Sequence, residues 1–183
     1  MFKSALAILA ALSLTPAANA AEFLPPDHKA LYDAVEQVGV YAYLNVDEVC
    51  LGKEFSGIYT WSQGESALVI CQDNRAGEAE VQWTANDLDT LRHEAWHIVQ
   101  DCMNGARADA KLSPLGTKEE YQLMMINAAV ATLGQDRVAD IINGYRARGL
   151  SDDDVVLEIE AFLVAATTHP SIIANKLVNS CGA

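Results

Sequence analysis

Residues His93-Glu94-Ala95-Trp96-His97 place two imidazoles four positions apart, with a carboxylate directly after the first. This stretch constrains the fold more than any other, because the pattern has a use only on an α-helix. There, positions i and i+4 lie one above the other on one face. Two imidazoles stacked that way can grip one Zn2+ from the same side, while Glu94 reaches the same cavity and can take a proton from a water activated there. The chain has only four His, so chance seldom produces the spacing. The neighbouring residues agree with a helix. Thr84 or Asn86 can cap it, Asp87 and Asp89 suit its first turn, and no Pro or Gly interrupts before Gly105. Leu88, Leu91, Ala95, Ile98, Val99 and Cys102 recur at helical spacing, and the two His sit beside that apolar stripe.

The first twenty residues read as a segment to be removed. Lys3 is a short basic region, Ala5 to Leu14 an apolar run too short to span a bilayer, and Ala18-Asn19-Ala20 a small-x-small cleavage site. The expected organisation is a signal peptide over residues 1–20 and a single domain over residues 21–183, long enough to bury a core. The expected location is exported, periplasmic or secreted. The formal net charge is -13; the signal holds one Lys and no acid, so its removal leaves about -14. Such an acidic chain is poorly suited to nucleic acid or to an anionic membrane surface. We therefore expect a peptide or protein substrate as partner, no nucleic acid, and no membrane once the signal is cleaved. The sequence says nothing of oligomeric state.

Four cysteines follow the signal: Cys50, Cys71, Cys102 and Cys181. An even number in an exported chain argues for two disulfides. Cys50 and Cys71 flank a hairpin signal, and Cys102 and Cys181 close the two ends of the C-terminal half, so Cys50–Cys71 and Cys102–Cys181 are the expected pairs. No C-x-x-C pair supports a cysteine zinc site.

The chain changes texture near Trp83. Before it, Pro25-Pro26 opens a helix ending near Gly39; strands are expected over Val40–Val46, Ser56–Trp61 and Ser66–Cys71, with a Gly-containing turn at Gly64, and a short one over Val81–Thr84. After it, helices are expected from Thr117-Lys-Glu-Glu120 to Thr132, Gln135 to Arg148, Ser151 to Thr168 and Pro170 to Val178.

A tetrahedral catalytic zinc takes three protein ligands and keeps one position open. Candidates for the third are His169, Asp101, Glu158, Glu160 and His28. Asp101 lies one turn beyond His97, too far along a straight helix. The segment from Val155 to Ala166 is apolar on almost every face, and two carboxylates interrupt it. Glu158 has Asp154 one turn back and can reach a polar edge. Glu160 has Val156, Leu157, Leu163 and Val164 as helical neighbours, where a carboxylate is costly unless paired or metal-bound. Glu160 is therefore the expected third ligand; pairing with Arg92 is the competing explanation of its burial.

A Gly and a His at Gln100 and Met103 would extend the motif in the metzincin manner, and both are missing. Two His on one helix with a Glu on a later one instead resemble the gluzincin branch of the zincin metallopeptidases. Glu158-Ile-Glu160-Ala161-Phe162 is similar to the glutamate helix of the ImmA/IrrE-like metallopeptidases, in which the Glu before the Ala is the zinc ligand, here Glu160. The resemblance covers these two segments only, and the export signal and cysteines depart from that cytoplasmic group.

It implies an α+β, zincin-like fold, with a small antiparallel or mixed sheet packed on the His93–His97 helix ahead of a mostly helical C-terminal half. It implies one Zn2+ per chain on His93, His97 and Glu160, Glu94 as general base, and peptide-bond hydrolysis with a strand edge, Ser66–Cys71 or Val81–Thr84, receiving the substrate. Tyr121, Tyr145 and His169 are candidate oxyanion donors between which the sequence does not choose. Two other functions stay open: a zinc amidohydrolase acting on cell-wall peptide, and a non-catalytic exported binding module on a zincin scaffold. Retention of Glu94 speaks against the second, since a purely structural metal site has no need of it.

Overall fold

Leu68, Val69 and Ile70 are fully buried on a single strand, so this strand must be covered on both faces. In the computed structural model, which describes residues 23–52, 55–62, 64–73, 82–105, 111–116 and 119–182, it is the centre of a three-stranded mixed sheet. Strand β1 (Tyr41–Leu44) pairs parallel with β3 (Glu65–Ile70), and β2 (Gly57–Ser62) pairs antiparallel with the other side of β3. Alternation decides which neighbour each residue meets. Leu68 and Ile70 join the main core, while Val69 packs with Val49, Cys50 and Cys71 on the opposite face.

The expected strand over Val40–Val46 ends early. Asn45 adopts φ 53, a left-handed conformation that Asn tolerates better than most residues. Its side-chain oxygen accepts from Gln72 N (2.8 Å), and the chain then makes one helical turn, α2 (Asp47–Cys50). The Cys50–Cys71 disulfide pins that turn to the end of β3.

Helices make up the remainder. α1 (Pro26–Gln37) starts with Pro at its first position and buries Leu31, Tyr32, Ala34 and Val35. α3 (Ala85–Cys102) is capped by Thr84, with Asp87 closing a capping box. Asp87 also accepts from Asp73 N (3.0 Å), which ties the helix start to the end of the sheet. α4 (Glu119–Leu133), α5 (Gln135–Ala147), α6 (Asp152–Thr167) and α7 (Pro170–Cys181) follow. Ser151 caps α6 in a second capping box with Asp154. The chain is thus α+β, with a small mixed sheet and a mostly helical C-terminal half.

Two cores result. One joins α1, the sheet, α3 and α7; the other joins α4, α5 and α6 through Met125, Ala129, Val138, Ile141, Val155, Ile159 and Leu163. α6 belongs to both, since its Ala161 lies in the first. α3 and α6 therefore pack against each other where the cores meet. The Cys102–Cys181 disulfide joins the end of α3 to the end of α7. Both pairings are those expected from the sequence.

Two expectations about the sheet change. Ser66–Cys71 is not an edge: β3 is central, because both neighbours pair with it. Residues 82–84 form no strand and lead into the α3 cap; Val81, like the 1–20 segment and the Thr117-Lys118 start of the expected α4 capping box, lies outside the described residues.

Candidate metal centre

α3 is buried along almost its whole length, so its His must face protein rather than water. His93 and His97 stack on one face, with ring centres 4.7 Å apart and nearly perpendicular planes. Their Nε2 atoms lie 3.0 Å apart. α6 brings a carboxylate to both: Glu158 Oε2 is 3.2 Å from His93 Nε2 and 3.4 Å from His97 Nε2. These three side chains form a cluster able to hold a metal ion.

The triangle has the dimensions of a site for a small metal ion. Its edges run from 3.0 to 3.4 Å, and two vertices of a tetrahedron with bonds of about 2.0–2.1 Å are about 3.3–3.4 Å apart. Glu158 Oε2 is buried and makes no well-formed hydrogen bond; it meets the two imidazole nitrogens as ion-pair contacts at 3.2 and 3.4 Å. A buried carboxylate needs a positive partner; here the imidazoles supply it, and a cation between the three atoms would take over that role.

Glu160 is not part of this cluster, which corrects the expected ligand set. Its Oε1 accepts from the Trp96 indole (2.8 Å), and its Oε2 from Leu115 N (3.2 Å). Gln100 Nε2 donates to it at 3.4 Å. The carboxylate does need partners in its apolar surroundings, and it finds them in an indole, a backbone amide and an amide side chain. Burial raises its pKa, and these hydrogen bonds oppose the rise. Arg92, the competing partner, pairs with Asp89.

Gln100 does more than occupy the place of the missing metzincin Gly. It is fully buried, and its Oε1 lies 2.7 Å from His97 Nδ1, which fixes the ring so that Nε2 points at Glu158. Metal-binding imidazoles are commonly oriented by such a bond to the other ring nitrogen. Its Nε2 donates to Leu157 O (3.1 Å), linking α3 to α6.

Glu94 lies beside the cluster, buried, with Oε2 accepting from Tyr59 N (2.7 Å). That amide sits on the edge of β2 not used by β3, so the edge strand nearest the site is β2. Burial pushes the Glu94 carboxyl up, against the lowering by His93 and His97. Burial also opposes the charged forms of His97 and Glu158, but the pair holds both charged. His97 is raised to about 9 by Glu158, and Glu158 lies well below the usual carboxylate range.

Of the three oxyanion candidates, the structure brings one to the site. Tyr145, on α5, hydrogen-bonds the Glu158 carboxylate, and burial followed by that negative charge pushes its phenol upward. Tyr121 lies against Gly116 and feels Glu160 instead. His169 caps α7 through Ser171 and faces Asp27. Of the rejected ligands, Asp101 accepts from the Tyr59 hydroxyl (2.6 Å), and His28 lies among Asp27, Asp89, Arg92 and His169.

A cleft of about 440 Å3 reaches the cluster at His93; Glu94, Arg137, Tyr145, Arg148 and Phe162 also line it. Phe162 packs its ring 4.4 Å from that of His93. Gln100 and Phe162 were the signals for this arrangement: each lies one helical turn beyond a ligand, His97 and Glu158 respectively.

Among the described residues no helix is long and apolar enough to cross a membrane, and the two disulfides are compatible with export. Neither the curated proteins nor the solved structures contain a significant match. A family profile does match, over residues 21–152, a stretch that includes His93, Glu94 and His97. That span is well over half of the chain, which therefore belongs to the family described as Domain of unknown function (DUF8637).

Proposed function

We propose that this chain is an exported zinc metallopeptidase of zincin type, in which His93, His97 and Glu158 hold the ion and Glu94 is the general base. The observation that carries the reading is the convergence of two imidazole nitrogens and a carboxylate oxygen at the wall of a cleft that also exposes a buried glutamate. A metal site of purely structural kind needs a fourth ligand and no base. Here only three candidate ligands meet among the described residues, and Glu94 stands beside them.

Zinc at this site would supply a Lewis acid that acidifies a water and polarises the scissile carbonyl. Glu94 has the burial and the raised pKa of a carboxylate able to take a proton from water and return it to the leaving amine. The Tyr59 amide keeps that carboxylate in one orientation. Tyr145 lines the cleft beside Glu158, and its one hydroxyl proton, released once a bound cation takes up the Glu158 charge, can be donated to a developing oxyanion. Gln100 keeps the His97 ring in the tautomer and orientation that ligation requires.

The test is metal analysis of the purified mature protein together with a mixed peptide panel. About one zinc per chain and metal-dependent hydrolysis are expected. Glu94→Gln should keep the metal and lose hydrolysis by at least a hundredfold. A Glu94→Gln protein as active as the parent overturns the mechanism, and a protein that binds no zinc overturns the site.

A further inference from the structure

The cleft that Glu94 lines also carries two guanidinium groups, although the chain is strongly acidic, with 12 Lys and Arg against 25 Asp and Glu. Each rests on an aromatic ring, and the two rings lie beside the candidate metal site. Arg137 Cζ lies 5.5 Å from the Phe162 ring centre, and Phe162 packs 4.4 Å from His93. Arg148 Cζ lies 5.2 Å from the ring centre of Tyr145, whose ring lies 6.3 Å from that of Phe162. Stacking on a ring fixes the plane of a guanidinium and leaves its N–H edge free for a bidentate acceptor.

Other described arginines are already used: Arg92 pairs with Asp89 and Arg146 with Asp152. Arg137 and Arg148 form no ion pair with a described residue. Of the acids at the cleft, Asp89 is turned to Arg92, and Asp140 sits one turn from Arg137 on the same face of α5 without pairing with it. Two fixed cations thus line the cleft together with the unpaired Asp140.

Resting on the reading of the site as a peptidase centre, we infer that the cleft selects peptides carrying a carboxylate close to the scissile bond, held by Arg137, with Arg148 as a second cation lining the same cleft. The spacing limits how close. The Arg137 Cζ can be no farther from the His93 ring centre than its 5.5 Å step to the Phe162 ring and the 4.4 Å step from that ring to His93 combined. An extended peptide covers at most about 3.3–3.6 Å per residue, so the carboxylate falls within about three residues of the bond cleaved. A free C-terminus and an acidic side chain offer the same chemistry.

The experiment uses the zinc-loaded protein and matched peptides: one with a free C-terminal acid, its C-terminal amide, and internal Glu and Gln versions of the amide. The ratio of kcat/KM for the carboxylate peptide over its neutral partner should be at least about tenfold, as expected for a charge-assisted bidentate contact. It should fall towards one in an Arg137→Gln, Arg148→Gln double variant. The acid/amide pair identifies a C-terminal carboxylate, and the Glu/Gln pair a side-chain one. Binding of the same peptides to Glu94→Gln, read by calorimetry, reports the preference without hydrolysis. Equal rates and equal binding for both members of both pairs overturn the inference and leave the peptidase reading standing. A preference that survives the double variant also overturns it. Hydrolysis of no peptide, with carboxylate-selective binding intact, sinks the peptidase reading and not the carboxylate site.

Discussion

Glu158 and Glu160, two positions apart on α6, have different partners on the same neighbouring helix: Glu158 Oε2 lies 3.2 Å from His93 Nε2, and Glu160 Oε1 accepts from the Trp96 indole at 2.8 Å. Successive even positions on a helix point about 200° apart, so one carboxylate reaches the imidazoles and the other passes along the flank of α3. The consequence is measurable. Glu158→Ala should lower zinc affinity by several orders of magnitude, since it removes one of the three proposed ligands, and barely change the fold. Glu160→Ala should keep the zinc and lose about 2–4 kcal/mol of stability, because the buried indole N–H and the Leu115 amide lose their acceptor. Zinc titration with a chromophoric chelator and thermal unfolding separate the two. Equal losses of zinc affinity would refute the assignment of Glu158.

Why the sequence favoured Glu160 is visible in α6 itself. This helix is buried on more than one side, with Ile159 and Leu163 in one core and Ala161 in the other. An apolar neighbourhood therefore marks a buried carboxylate without saying what it meets. Glu160 does need partners in that setting, but they are a Trp inside the motif, Gln100 on the same helix and a backbone amide 45 residues earlier, and no local pattern signals any of them. α3 was legible because its signals are local: Thr84 and Asp87 close a capping box and the apolar stripe is periodic. The strand stretches were legible and their order was not, since nothing within Ser66–Cys71 tells a central strand from an edge.

Gly57 shows how closely β2 approaches α3. A Cβ there would sit 2.5 Å from Thr90 Cγ2 and 3.1 Å from both Glu94 Cγ and Val69 O. Thr90 is β-branched and stiff on its helix, so Gly57→Ala must push the strand away. Overpacking of this kind costs about 1–3 kcal/mol, and here it also shifts the Tyr59 amide that holds Glu94. The expected variant folds with a lowered Tm, keeps its zinc and loses hydrolysis more than tenfold. An Ala variant of unchanged Tm would show that the strand is not so tightly seated.

The two disulfides close loops of different length. Cys50–Cys71 spans 21 residues and Cys102–Cys181 spans 79. In the chain-entropy account these are worth about 3 and about 4–5 kcal/mol. Replacing Cys102 and Cys181 together by Ser should therefore lower stability more than replacing Cys50 and Cys71, and it frees α7 from the end of the metal helix. Denaturant unfolding of the two double variants gives the comparison; a larger loss in the Cys50, Cys71 variant would mean that pinning α2 to β3 outweighs loop length.

Tyr32 gives the fold an alkaline limit away from the metal cluster. It lies on α1, almost fully buried, and its hydroxyl donates to Ala42 O on β1 (3.3 Å). Burial, with Glu36 and Asp33 nearby, raises its pKa from 10.0 to about 12. A phenol whose folded pKa is raised contributes stability that is complete below the unfolded value and is lost as pH rises through the folded one. The window is therefore pH 10 to 12, and the contribution lost across it is about 2–3 kcal/mol at 1.36 kcal/mol per unit. Tyr32→Phe removes the ionisation and keeps most of the packing, so unfolding free energy measured from pH 9 to pH 12 should fall less steeply than in the parent. Tyr121, raised to about 12, keeps part of the slope in place. The same variant at pH 7 should lose only the single hydrogen bond to Ala42, about 1 kcal/mol. If the parent and Tyr32→Phe decline in parallel across that window, the buried phenol is not what sets the limit.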